Sequence, residues 1–149
     1  MAIRKRTIQP MIWQDPDFGI LGNIAKLLVI GMITQADDEG RGNAHPLVIK
    51  ANIFPFGGAE INEIFDALEE IKIKMRNLIL YEIENQLFYQ FKKWSNHQFL
   101  RSDRMQKSTF PAPPSRIKSI ISKKENFKAI DKLRKELEEK GIINKTKLI

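Results

Sequence analysis

Apolar side chains recur along this chain in two rhythms, and the rhythm changes only where a breaker residue stands. Between Asn23 and Gln35, Ile24, Leu27, Leu28, Val29, Ile30, Met32 and Ile33 leave almost no polar face. That pattern predicts a helix in the middle of a core. Asn23 is expected as its N-cap, and Asp37-Asp38-Glu39-Gly40 ends it at a turn. Arg41 to Ala44 is long enough for a short strand. Pro46 suits the first turn of a second helix, where its missing N–H costs nothing, and Pro55-Phe56-Gly57-Gly58 stops that helix. From about Ala59 to Arg76, Ile61, Ile64, Phe65, Leu68, Ile71 and Met75 recur at three and four residues, predicting a third helix. The period then falls to two. Ile79, Tyr81 and Ile83, then Leu87, Tyr89 and Phe91, alternate with their neighbours around Glu84-Asn85-Gln86, which predicts a β-hairpin.

Helix, short strand, helix, turn, helix, hairpin is the order of a winged helix-turn-helix, with the hairpin as wing. The expected class is therefore mainly α with a small β-hairpin (α+β). The winged domain spans residues 1–98, a basic Pro-rich linker 99–114 and a basic helical tail 115–149. Pro111-Ala112-Pro113-Pro114 reads as an extended spacer, and Ser115 as the cap of a short basic segment. Phe127, Ile130, Leu133 and Leu137 give the last helix, about Asn126 to Lys140, a narrow apolar stripe. Such a helix can dock on the core, pair with a second copy as a homodimer, or take another partner.

Charge sharpens this picture. Residues 1–91 hold nine Lys/Arg against twelve Asp/Glu, a balance of −3; residues 92–149 hold sixteen against six, a balance of +10. A half-to-half asymmetry of this kind points to a polyanion-binding tail. The chain has no cysteine, which removes disulfides, thiolate metal sites and cysteine nucleophiles. Two histidines are too few for a zinc site without carboxylate help. Arg4-Lys5-Arg6 is not followed by an apolar run, so no signal peptide is expected, and the longest apolar run is too short to span a bilayer. A soluble cytoplasmic protein with no cofactor and no small-molecule substrate is expected.

Several segments together carry a family resemblance. They are Arg6-Thr7-Ile8-Gln9-Pro10 with Trp13-Gln14-Asp15, Leu27-Leu28-Val29-Ile30-Gly31, and Ala36-Asp37-Asp38-Glu39-Gly40-Arg41. Ile49-Lys50-Ala51 with Ile53-Phe54-Pro55, Leu78-Ile79 with Tyr81, Tyr89, Trp94, His97-Gln98 and Pro113-Pro114-Ser115 continue it. Over about residues 6–115 the chain resembles the N-terminal domains of phage replisome-organiser, or replication-initiation, proteins. The resemblance implies a winged-helix domain in the style of DnaD-type primosome components. It also implies origin DNA and a helicase loader as partners, in a phage or mobile element. The tail after Ser115 is shorter than that family's organisers would have.

The third helix holds the recognition position but carries Glu60, Glu63, Asp66, Glu69 and Glu70 before its first cation, Lys72. Carboxylates repel phosphate, whereas affinity for DNA comes mainly from Lys and Arg displacing counterions. DNA contact is therefore expected from Arg4, Lys5 and Arg6 and from Lys92, Lys93, Arg101, Arg104, Lys107, Arg116 and Lys118. Phe99 and Phe110 stand among these charges as candidate base-stacking rings. Glu60, Glu63, Asp66 and Glu70 form the alternative site, a protein-docking face on a module without intrinsic DNA binding. A transcriptional regulator is a further alternative, weakened by the absence of Arg, Lys or Gln before Lys72. Asp37-Asp38-Glu39-Gly40 lacks the ligand spacing of a calcium loop and reads as a helix terminus. His97 and His45 read as packing or capping residues, and Trp13 and Trp94 as core residues joining the N-terminal arm to the hairpin. No residue set reads as catalytic.

Overall fold

The computed structural model of the chain describes residues 4–114 and 123–143, with side chains from Ile130 onward in the second stretch. The described residues form an α+β fold of six α-helices and a three-stranded antiparallel sheet. A 3-10 turn over Pro10–Gln14 leads into α1 (Pro16–Gly19), α2 (Asn23–Gln35), β1 (Arg41–Asn43), α3 (Pro46–Ile53) and α4 (Ile61–Lys74). Then follow β2 (Leu78–Ile83), β3 (Gln86–Phe91), α5 (Trp94–His97) and α6 (Lys123–Glu139). The sheet order is β1-β3-β2.

Local chemistry explains the boundaries. The N-cap of α2 is Gly22, one residue before the expected Asn23. Its N–H donates to the Glu70 carboxylate at 2.7 Å, so an acid from α4 sits at the positive end of α2. His45 caps α3, its Nδ1 accepting from the Leu47 N–H at 3.1 Å, and burial lowers its pKa, in keeping with a neutral acceptor ring. Glu84 and Asn85 both take positive φ, 52° and 65°, so the hairpin turn has two residues and β3 gains Gln86. Paired left-handed residues match the twist of the flanking strands.

The core gathers α2, α4 and the inner face of the sheet around Leu28, Met32, Ile64, Phe65, Leu68, Ile71 and Tyr89. Gly42 of β1 lies opposite Tyr89 of β3, and a Cβ on Gly42 would fall 2.3 Å from the Tyr89 hydroxyl. That close approach lets the phenol pass over the strand and donate to the Met32 carbonyl at 2.8 Å. Two expectations about packing are corrected. Leu27 is exposed, so α2 does have one solvent face, and Trp13 is 66% exposed, resting edge-on against Phe18. Trp94 alone of the two tryptophans enters the core.

The C-terminal helix docks on the domain. Ile130 and Leu137 are buried, and α6 packs against α4 and β2. Arg134 crosses that interface and donates to the Asn62 carbonyl at 3.2 Å and to the Asp66 carboxylate at 2.9 Å. Its guanidinium also lies 5.3 Å from the Phe65 ring centre. The segment expected as an extended spacer is held to the sheet, since Tyr81 donates its hydroxyl to the Pro111 carbonyl at 2.6 Å. Burial pushes that phenol's pKa up to about 12.

Candidate nucleic-acid interface

The acidic turn after α2 organises both basic ends of the domain. Asp37 and Asp38 are almost fully buried, 2% and 3% exposed. Asp37 first shapes its own turn, accepting the Glu39 and Arg41 N–H groups at 2.9 Å each through one oxygen. Its other oxygen accepts the Ser108 hydroxyl. Asp38 accepts Arg6 on one oxygen at 2.9 Å, and Arg4 and the Gln106 N–H on the other at 2.9 and 2.8 Å. Glu39 accepts the Ser108 N–H at 2.5 Å. The triplet thus holds the N-terminal arm and the segment after α5 side by side. Burial alone would raise the Asp38 pKa, but the Gln106 N–H and the two guanidiniums outweigh it and hold the carboxyl below its ordinary 3.8.

Further bonds close the seam. Thr7 and Gln98 exchange a pair of hydrogen bonds, Thr7 N–H to the Gln98 amide oxygen and Gln98 Nε2 to the Thr7 carbonyl, both 2.8 Å. Gln9 Nε2 donates to the His97 carbonyl at 3.0 Å, and Arg4 donates to the Arg104 carbonyl at 2.8 Å. His97 takes part through its backbone while its ring is exposed.

A cleft of about 180 Å³ opens on this seam, with Arg4, Lys5, Arg6, Arg101, Arg104 and Phe99 in its walls and Asp38, paired to Arg4 and Arg6, among them. Phe99 is 90% exposed. Lys5 and Arg104 are exposed and form no ion pair among the described residues, while Arg101 meets only the exposed Asp103 at 3.3 Å. Arg101, half exposed in a solvent-facing pair, keeps most of its charge available, because such pairs contribute little.

The sequence candidates therefore divide. Lys5, Arg101 and Arg104 come together. Lys92, Lys93 and Lys107 are exposed and unpaired among the described residues, but they do not line this cleft. Arg4 is two-thirds buried against Asp38 and keeps one edge in the cleft. Arg6 departs from the expectation of a free basic arm. Its side chain is 5% exposed, bound to Asp38 and to the Ala36 carbonyl, and its guanidinium lies 5.5 Å from the Trp94 ring centre. Phe110 is half-buried, its ring packing on Phe88 at 5.9 Å. Arg116 and Lys118 lie outside the described residues, as does Ser115, and Phe127 lies outside the described side chains.

The acidic face of α4 is engaged from within. Glu63 accepts the Glu60 N–H at 3.0 Å, closing the first turn of the helix. Glu70 accepts Gly22 and, at 3.1 Å, Lys74. Asp66 and Glu69 meet Arg134 at 2.9 and 3.7 Å. Burial beneath α6 raises the pKa of Glu69 despite Arg134, with Asp131 and Asp66 adding to the rise.

The knot at Asp37–Glu39 was not predicted from the sequence. Its signal is an acidic triplet directly after an apolar helix in a chain whose cations sit near its two ends. Among the described residues no helix is long and apolar enough to cross a membrane. No family model, no curated protein and no solved structure matches the chain.

Proposed function

We propose that the chain is a non-enzymatic nucleic-acid-binding protein of the replication-initiation type, built on a winged helix-turn-helix. It grips the polyanion with the seam between its N-terminal arm and the segment after α5. The order α2-β1-α3-α4-β2-β3 with sheet order β1-β3-β2 supports the winged-helix reading, in which β2 and β3 form the wing. One observation carries the binding reading: Lys5, Arg101 and Arg104 gather around an exposed Phe99 in one cleft. Cations supply the salt-dependent affinity, and an exposed ring offers a stacking surface. The resemblance to replisome organisers adds origin DNA, a helicase loader and a cytoplasmic phage or mobile-element setting.

Helix α4 is a poor reader of DNA on this proposal, because its outer face is acidic and α6 lies across part of it. The same contact weighs against the rival, a module that docks a partner protein on α4 and binds no DNA. Arg134 already meets the cation preference of Asp66 and Glu69 from inside the chain.

The test is a salt titration of binding to fluorescein-labelled random single strands and duplexes, read by anisotropy. Each phosphate contact adds about 0.7 (single strand) to 0.9 (duplex) to the slope of log affinity against log salt. Replacing Lys5, Arg101 and Arg104 together by Ala is expected to reduce that slope by about 2–3. An unchanged slope, or no binding by the wild type at low salt, overturns the proposal.

A further inference from the structure

Duplex DNA finds little to hold on the elements that a helix-turn-helix normally offers it. Such a fold lays its recognition helix in the major groove. Here that helix is α4, with an acidic outer face and α6 lying across part of it. The wing is no better suited. From Leu78 to Phe91 it contains no Lys or Arg, and Glu82 and Glu84 are exposed along it. Acids at both places repel the phosphate backbone.

The cleft between the N-terminal arm and the segment after α5 has a different character. Phe99 is 90% exposed and Met105 43%, and the half-buried Leu100 lines the same cleft, so three apolar side chains stand among Lys5, Arg101 and Arg104. The backbone that carries them is anchored. Gln98, the residue before Phe99, exchanges two hydrogen bonds with Thr7, and the Arg101 carbonyl accepts the Arg104 N–H at 3.0 Å to close a turn just after it. Ring and cations are thus ordered before a partner arrives, which lowers the cost of binding one. Size narrows the partner further. An apolar cavity of about 150 Å³ holds benzene, so about 180 Å³ admits one pyrimidine-sized ring but not a base pair.

Building on the nucleic-acid reading above, on which this inference rests, we propose that the ligand of the cleft is an unpaired strand. One base stacks on Phe99 while Lys5, Arg101 and Arg104 take the flanking phosphates. Base faces are free in a single strand and covered by their neighbours in a duplex, so the exposed ring gains only from the former. Electrostatics alone would give the opposite preference, because a duplex carries more charge per unit length and releases more counterions per contact. Preference for the single strand is therefore the signature of the ring rather than of the cations.

The experiment measures binding of the full-length protein by anisotropy, over a range of salt, to labelled oligothymidine and oligouridine. A strand of equal length with abasic sites in place of bases, and a duplex of equal length, complete the set. The thymidine and uridine arms separate DNA from RNA as the source of the strand. The tighter of these two is expected to bind more tightly than the duplex, and about ten-fold more tightly than the abasic strand, the worth of one stacked base. Phe99→Ala is expected to remove that advantage with the salt slope unchanged, because no phosphate contact is lost. Phe99→Trp is expected to restore it. The ring lies in solvent, so both variants are expected to keep the wild-type melting temperature. Equal or tighter binding to the duplex, full affinity for the abasic strand, or unchanged affinity in Phe99→Ala overturns the single-strand proposal and leaves the nucleic-acid reading standing. Absence of salt-dependent binding to all four overturns both.

Discussion

Asp38→Asn is the sharpest probe of the acidic knot, because it removes a charge while keeping the shape and an oxygen to accept the Gln106 N–H. Its effect follows from what the charge holds. The Arg6 side chain is 5% exposed, and without Asp38 its guanidinium keeps, among the described residues, the Ala36 carbonyl at 3.2 and 3.0 Å and the Trp94 ring. Stranding a buried charge costs about 3–5 kcal/mol. The surviving carbonyl bonds put this case at the low end, about 3 kcal/mol. Arg4, one-third exposed, adds little. For a chain of this length, about 3 kcal/mol corresponds to a fall in Tm of roughly 6–12 °C. Urea denaturation followed by circular dichroism measures it directly. A double-mutant cycle with Arg6→Met is expected to show a coupling of about 2 kcal/mol, since the second substitution removes the stranded charge. A loss under about 1 kcal/mol with an unchanged m-value would refute the reasoning.

Two further readouts distinguish this account from simple electrostatics. The Asp38 carboxyl is held below 3.8 in the folded state. The stability it contributes is present above that pH and is lost as pH falls below it, so the wild-type and Asp38→Asn melting curves are expected to converge in acid. The substitution also raises the net charge by one, which by itself would tighten binding to a polyanion. Because it loosens the arm and the following segment together, affinity is expected to fall instead. Tighter binding would mean that Asp38 does not organise the cleft.

Three other outcomes are expected. Arg134→Ala removes the bonds to Asn62 and Asp66 and the contact with Phe65, and is expected to cost about 2 kcal/mol, with faster amide hydrogen exchange over 130–137. Unchanged exchange there would mean that the apolar contacts alone hold α6. Burial lowers the Lys72 pKa to about 8, against the opposing pull of Glu82, so the unfolded chain binds its proton more tightly than the folded one. Relative to Lys72→Met, the wild type is therefore expected to gain stability as pH rises from about 8 to 10.5, and a flat difference in Tm across that window would contradict it. Gly42→Ala drives a methyl into the Tyr89 ring and is expected to destabilise by roughly 1–3 kcal/mol, measured by urea denaturation; a neutral result would show that the ring can withdraw.

The elements that proved legible were those written in local periodicity. The apolar run of α2, the three-and-four spacing of α4 and the alternation of β2 and β3 each fix a face before any tertiary contact forms. The two-residue turn differs from the expected three because Glu84 adopts positive φ beside Asn85, a conformation the residue type does not advertise. The anchoring of residues 99–114 was not legible for a related reason. Proline and basic composition describe how a segment behaves alone, whereas Gln106, Ser108 and Pro111 are anchored by Asp38, Asp37, Glu39 and Tyr81, far away in sequence. Among the candidate cations, composition cannot separate Arg6 from Lys5. Only the fold turns one against Trp94 and leaves the other in solvent.

That division shows why a charge asymmetry along a chain is an incomplete argument for nucleic-acid binding. An acidic first part and a basic last part attract each other before either meets a partner. Arg134 draws α6 onto Asp66 and Glu69, and the basic arm is drawn onto Asp38 by the same force. Each such pair subtracts a cation from the surface available to phosphate. The useful quantity is the remainder: Lys5 and Arg104 without an ion pair among the described residues, Arg101 loosely paired, and the exposed Phe99 in the same cleft. The acids consumed in folding set where that remainder lies. Asp38 cannot hold Arg4, Arg6 and Gln106 without bringing their neighbours Lys5 and Arg104 to the same edge, so the knot that buries Arg6 and most of Arg4 is what gathers the other cations into a cleft.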